Sequence, residues 1–224
     1  MGSISIMSIT TENSISLSIL IPSHKRPGLF QRCVKSALEN FPDGAVEIIV
    51  NNDSKDITPA QHDSVQYYYE SFPELSQVYE FLLSKAKGKY VYFLEDDDYL
   101  SQNFYEDVMP YLFLIDDESF DVLSGCYYPT WNMSWVLRCA TSQMLGFRLD
   151  DETFQLGQFI MKRSTLQDFP FPHDSHIHND RKLVDCALNN SKRVINIPKV
   201  IYYQTTDGGD NISFPETNAN HAKN

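Results

Sequence analysis

Three short apolar runs, each ending in a polar cluster, organise the first hundred residues. The stretch from Ser16 to Pro22 is apolar and closed by proline, which reads as a buried strand, and it opens into Ser23-His24-Lys25-Arg26. Pro27 then stands at a good position for a helix start. Leu29, Phe30, Cys33, Val34, Ala37 and Leu38 recur at three- and four-residue steps, giving one apolar helical face. A turn at Phe41-Pro-Asp-Gly44 leads into a second buried strand, Ala45–Val50, which runs into Asn51-Asn52-Asp53-Ser54. Residues 57–71 are predicted helical. Pro73 opens another helix carrying Leu75, Val78, Tyr79, Leu82, Leu83 and Ala86 and ending at Gly88. Lys89–Leu94 is a third strand, and it delivers Glu95-Asp96-Asp97-Asp98 at its C-terminal end.

Strands alternating with helices over some eighty residues predict a parallel sheet flanked by helices. Ligands of such sheets bind beyond the C-terminal ends of the strands. All three polar clusters fall at that edge. The second half is less regular: a helix near 103–114, strands over Asp121–Tyr128 and Val194–Gln204, and a helix near 180–190 between them. The expected organisation is a flexible N-terminus (1–15), a first half carrying the three polar clusters (16–100), a second half of the same domain (101–210) and a polar tail (211–224).

Charge sharpens this picture. The net charge of -12 lies wholly in the first half, where residues 1–128 hold 8 Lys/Arg against 20 Asp/Glu; residues 129–224 hold 10 of each. An acidic first half argues against a duplex-binding surface there and suits a site that gathers divalent cations. No apolar run approaches the roughly 18 residues of a membrane span, and the N-terminus lacks the basic and apolar regions of a signal peptide. Four scattered cysteines (Cys33, Cys126, Cys139, Cys186) without a C-x-x-C pair are expected as free thiols in a reducing, cytoplasmic setting.

Four consecutive acids after Tyr-Val-Tyr-Phe-Leu raise one another's pKa, so folding gains nothing from placing them together. A hard cation relieves the repulsion, and Mn²⁺ or Mg²⁺ prefers one or two carboxylates completed by phosphate oxygens. Three blocks then carry a resemblance: Ser18–Pro27 (SILIPSHKRP), Glu47–Asp56 (EIIVNNDSKD) and Ala86–Leu100 (AKGKYVYFLEDDDYL). In order and spacing they resemble the opening of a family 2 glycosyltransferase of GT-A fold, an α/β, Rossmann-like, mostly parallel sheet flanked by helices with a smaller acceptor-binding half.

The resemblance implies a role at each position. His24 stands where the family has a ring packing on uracil, Pro22 and Ser23 shape the nucleotide pocket, and Arg26 is near it. Asn51, Asn52 and Asp53 occupy the region that reads the base, with a one-residue gap leaving the register open. Glu95-Asp96-Asp97 fills the Asp-x-Asp slot, so that Asp96 faces ribose while Glu95, Asp97 and the extra Asp98 hold metal. Asn179-Asp180, heading an apolar helix, resembles the family's Glu-Asp pair, in which the second acid is the general base; such a carboxylate also serves as an ordinary cap. The chain departs from the pattern at Glu95, where Asp is usual, and at Tyr79-Glu80, where an Arg-Asn pair is expected. The late metal-binding His is also absent, and Asp207 stands near its place. His173, His176 and His178 are acceptor-loop residues or, less simply, zinc ligands. Trp131 and Trp135 with Tyr127 and Tyr128 offer a stacking platform or core packing.

The implied reaction is metal-dependent, inverting transfer of a sugar from a nucleotide diphosphate donor, UDP-linked by expectation, to a hydroxyl on a saccharide or other acceptor. Two alternatives stay open. One is an enzyme of viral type glycosylating modified DNA bases, with nucleic acid as acceptor only; the other is a non-catalytic nucleotide-sugar binder.

Overall fold

The computed structural model describes residues 16–41, 46–114, 119–130, 138–139, 155–171 and 179–205. Its strands are β1 (Leu17–Ser23), β2 (Val46–Asn52), β3 (Val65–Tyr68), β4 (Tyr90–Phe93), β5 (Tyr99–Leu100), β6 (Val122–Pro129), β7 (Arg138–Cys139), β8 (Phe159–Lys162) and β9 (Val194–Gln204). The α-helices are α1 (Pro27–Asn40), α2 (Leu75–Lys85), α3 (Phe104–Leu112) and α4 (Asn179–Asn189). One sheet runs in the order β3-β2-β1-β4-β8-β6-β9-β5, with β7 paired to β6. β1 is parallel to both β2 and β4, and β2 to β3; β8 joins β4 and β6 antiparallel, and β9 returns parallel to β6.

Every residue of β1, β2 and β4 is buried, because helices cover both faces of the parallel strands. On β1, Leu17, Ile19 and Ile21 point to the face covered by α1 and α3, where Phe30, Val34, Phe104 and Val108 pack. Leu20 points the other way, towards Val78 and Leu82 of α2 and Leu183 and Val184 of α4. Burying a Leu or Ile side chain stabilises by about 1.5–3 kcal/mol, so this period-two alternation pins the register of the central strands.

The edge of the sheet away from the polar clusters is tied by one buried acid. Glu47 accepts hydrogen bonds from Ser18 Oγ (2.6 Å), the Lys87 amide (2.6 Å) and Gln66 Nε2 (3.1 Å). Gly88 passes so close to β1 that a Cβ there would stand 2.7 Å from the Ser18 amide nitrogen. The chain therefore turns from α2 into β4 at a place that only glycine fits.

Several expectations change. Residues 57–71 contain no helix; Val65–Tyr68 instead adds a strand at the edge of the sheet. Tyr67 and Tyr68 suit a half-buried edge strand, and pairing with β2 overrides a weak helical pattern. α2 starts later than Pro73 and ends before Gly88. Glu74 and Gln77 form a reciprocal capping box at its start, which satisfies its first amides. The four-residue β8, too short for periodicity, lies between two antiparallel neighbours.

The cysteines are not all free thiols. Cys33 and Cys186 are free, whereas Cys126 is disulfide-bonded, and the residue across from it in the β6–β7 ladder is Cys139. Spacing carries no signal for this, because strand pairing creates the proximity. No described helix is long and apolar enough to cross a membrane.

Candidate active site

The three polar clusters meet at the C-terminal edge of β1, β2 and β4, as their register requires: Ser23 pairs with Asn52, and Leu20 with Phe93. The β1–α1 loop is tightly bent. Lys25 holds a left-handed backbone (φ 52°), and so does Lys55 (φ 57°) in the turn after β2. The Lys25 amide donates to Ser54 Oγ at 2.9 Å, joining the two loops.

The polar residues after β2 divide by role. Asn51 is buried and spends both ends of its amide on the backbone of Glu70, donating to its carbonyl and accepting from its amide, each at 3.0 Å. Asn52, fully buried, donates to Ser23 Oγ, Ser54 Oγ and Asp56 Oδ1 and accepts from the Asp56 amide. Asp53 is the residue that reaches the open side, with Oδ1 2.6 Å from His24 Nδ1; the His24 side chain is 52% exposed. Of the three candidates for reading a base, Asp53 is the one whose side chain reaches an exposed partner. Pro22 and Ser23 form the buried end of β1 beneath these groups.

The acidic cluster is folded on itself by a turn in which the Asp98 amide donates to the Glu95 carbonyl (3.1 Å). Asp96 Oδ2 accepts from the His24 amide (3.1 Å), and Asp96 Oδ1 and Asp97 Oδ2 lie 3.2 Å and 2.6 Å from Arg26 Nη1. Carboxylate oxygens of Glu95, Asp97 and Asp98 come within 4.8 Å of one another. Such a set of hard oxygen donors suits Mn²⁺ or Mg²⁺. Burial, with Arg26 opposing it and Asp97 adding to it, pushes the Asp96 carboxyl up to about 6. Burial raises Glu95 and Asp98 well above the carboxylate range. At Glu95 the neighbouring acids, Asp180 foremost, add to it; at Asp98 Asp97 does so, while the Thr205 amide and Arg32 oppose it. A divalent cation would relieve that accumulated repulsion.

β9 closes the cluster from the far side. The Thr205 amide donates to Asp98 Oδ1 (2.8 Å), and its hydroxyl donates to the Asp97 carbonyl (2.5 Å). Arg32 of α1 donates to the same carbonyl (2.7 Å) and to Thr205 Oγ1 (3.0 Å), with its guanidinium 4.7 Å over the Tyr99 ring. Neither Arg32 nor Thr205 stands out in the sequence. Arg32 is one polar residue on an amphipathic helix, and Thr205 is adjacent only through the return of β9.

Asp180 heads α4 and comes to the site through Tyr79. The Tyr79 hydroxyl lies 3.3 Å from Asp180 Oδ1 and 3.4 Å from Glu95 Oε1, and the ring is buried against Phe93. Burial first, then the two carboxylates, raises the phenol well above its ordinary range, so it remains a proton donor at neutral pH. The expected acid of the second half is thus joined to the cluster at the end of β4. Asp207, His173, Asp174, His176, His178, Trp131 and Trp135 lie outside the described residues. Tyr127 is buried, stacked on Tyr202, whereas Tyr128 is half-buried against Tyr203.

Comparison with known proteins agrees with the fold. No curated protein sequence matches the chain. Among solved structures it is similar to S. aureus TarS 1-349 in complex with UDP-GlcNAc (TM-score 0.69, 18% identity, 88% of this chain and 60% of that one). The TarS 1-349 complex with UDP is comparable (TM-score 0.68, 19% identity, 87% and 62%). A mannosyltransferase, PcManGT from Pyrobaculum calidifontis in complex with GDP-Man and Mn²⁺, aligns at TM-score 0.57 and 15% identity, covering 84% of this chain and 56% of that one. The chain therefore spans about six-tenths of the length of these structures, and the likeness establishes the GT-A fold. Residues 18–185 match the family described as Glycosyl transferase family 2. With that match covering most of its 224 residues, the chain belongs to glycosyl transferase family 2.

Proposed function

We propose that the protein transfers a glycosyl group from a nucleotide diphosphate donor, UDP-linked, to a hydroxyl acceptor, with inversion and with Asp180 as general base. The observation that carries the reading is the convergence of Glu95, Asp97 and Asp98 with Asp180, linked by one buried phenol, at the end of β4. The β1 and β2 loops complete the donor side. Residues 16–100 form the donor half in this reading, and residues 101–210 contribute the acceptor side.

His24 offers a ring to the base, and Asp53 orients that ring while accepting from a base N–H. Asp96, fixed by the His24 amide, faces the ribose. Glu95, Asp97 and Asp98 would hold Mn²⁺ or Mg²⁺, with Asp207 as a further proposed ligand. The cation supplies charge neutralisation for the departing diphosphate. Asp180 takes the acceptor proton at a carboxylate oxygen; its place in the first turn of α4 favours the ionised form. A saccharide is the default acceptor. The similar TarS structures, in complex with UDP and with UDP-GlcNAc, support a uridine donor, and PcManGT, in complex with GDP-Man and Mn²⁺, supports a metal.

A panel of nucleotide-sugars assayed for donor hydrolysis and transfer, with Mn²⁺, Mg²⁺ or EDTA, tests the reading. Cation-dependent turnover of a UDP-sugar is expected. Binding without turnover of any donor, in the presence of candidate saccharides, would make the chain a nucleotide-sugar binder instead.

A further inference from the structure

We infer that Arg26 is a built-in counter-ion, which holds the carboxylates in the cation's absence and passes to the donor's phosphates when metal and donor enter together. The inference rests on the metal-dependent reading above and adds how loading of that site is controlled.

The geometry places one guanidinium nitrogen, Arg26 Nη1, 2.6 Å from Asp97 Oδ2 and 3.2 Å from Asp96 Oδ1. Arg26 is 16% exposed at its side chain and the two acids 4% and 6%, so the contacts are well shielded from water. Asp97 is also one of the three carboxylates that converge within 4.8 Å. It is therefore claimed by two positive charges, the guanidinium and a divalent cation. Both cannot stay close without strong repulsion, because screening is weak where water is excluded.

A cation arriving alone must displace charge-assisted hydrogen bonds and leave the guanidinium in a half-buried loop. Its affinity is lowered by that exchange. A nucleotide diphosphate changes the balance, because its phosphate oxygens complete the metal's coordination and give the displaced guanidinium new acceptors of matching geometry. The means of movement is local. Arg26 lies in the β1–α1 loop, between Lys25 at φ 52° and the first turn of α1, so side-chain rotation alone re-aims it while the helix stays fixed. The chain carries Tyr79 where its resemblance to the family leads one to expect an arginine, which leaves a role near the phosphates for Arg26. Metal and diphosphate then bind cooperatively, and the coupling is reciprocal.

The test is Mn²⁺ binding to the full chain, followed by electron paramagnetic resonance of free Mn²⁺, with and without saturating UDP. It compares wild type with Arg26→Ala and the more space-filling Arg26→Gln, each checked for folding by circular dichroism. Both variants are expected to bind Mn²⁺ alone more tightly than wild type, while the factor by which UDP tightens Mn²⁺ falls by about 5–150-fold. Mn²⁺ alone binding no more tightly, or UDP coupling kept at the wild-type factor, overturns the role of Arg26 while leaving the metal site standing. A wild type that takes no Mn²⁺ even with UDP overturns both readings at once.

Discussion

Tyr79 and Asp180, 101 residues apart in the chain, are joined by a 3.3 Å contact between the phenol oxygen and a carboxylate oxygen. The same phenol lies 3.4 Å from Glu95. It has one proton to donate and two carboxylates to serve. With Glu95 engaged by a cation, the O–H would be left to orient Asp180. Tyr79→Phe keeps the ring against Phe93 and deletes only the hydroxyl, so the fold survives. Turnover should fall by about 10–100-fold with donor KM little changed. A variant that loses donor affinity but keeps kcat would mark Tyr79 as part of the donor pocket.

The proposed base is tested by Asp180→Asn, which keeps the shape and the contact with Tyr79. The variant should bind UDP and Mn²⁺ as wild type does and transfer sugar about 10²–10⁴-fold more slowly. Full turnover in single-turnover assays would exclude Asp180 as the proton acceptor. Loss of stability would show that it acts as a helix cap.

How much of this was legible before the structure depends on how local each signal is. β1, β2 and β4 announce themselves as apolar runs, and the groups at their ends follow from parallel register. β3 was hidden, since Val65–Tyr68 has no clean alternation and becomes a strand only by pairing with β2. Asp53 could not be separated from Asn51 and Asn52 by sequence, because what separates them is where each side chain finds partners. Arg32, Thr205 and the pairing of Cys126 with its neighbour strand depend on contacts across the fold, which spacing does not encode.

The proposed packing of His24 on the donor base is tested by substitution. Its exposed ring is held by Asp53, so His24→Tyr should retain UDP affinity, whereas His24→Ala should weaken it by about 1 kcal/mol through loss of the stack. Isothermal titration with UDP and UMP reads this directly. Equal affinity in all three proteins would leave the ring without a role in binding.

Asp121 supports the second half. It accepts from the amides of Lys192 (2.7 Å) and Arg193 (3.1 Å) and from Lys162 Nζ (3.4 Å), tying the start of β6 to β8 and β9. Burial alone would raise its carboxyl, but these donors prevail and hold it below the usual range. Asp121→Ala should cost about 1.5–3 kcal/mol at neutral pH. Because the folded pKa is depressed, that contribution is complete above the ordinary carboxylate pKa and is lost as pH falls through the folded value. Urea unfolding at pH 7 and at pH 3 should therefore show the gap between wild type and variant narrowing in acid. A gap that widens in acid would contradict the assignment.

The central claim is that a divalent cation and a nucleotide diphosphate bind together on Glu95, Asp97 and Asp98. Calorimetric titration of UDP into wild type and Asp97→Asn, each with Mn²⁺ and with EDTA, tests it most directly. Wild type should bind UDP markedly more tightly with Mn²⁺. Asp97→Asn should fold normally yet show the same weak affinity in Mn²⁺ as in EDTA, since the amide neither neutralises the cation nor holds Arg26 as strongly. Undiminished Mn²⁺-dependent UDP affinity in Asp97→Asn would contradict the account.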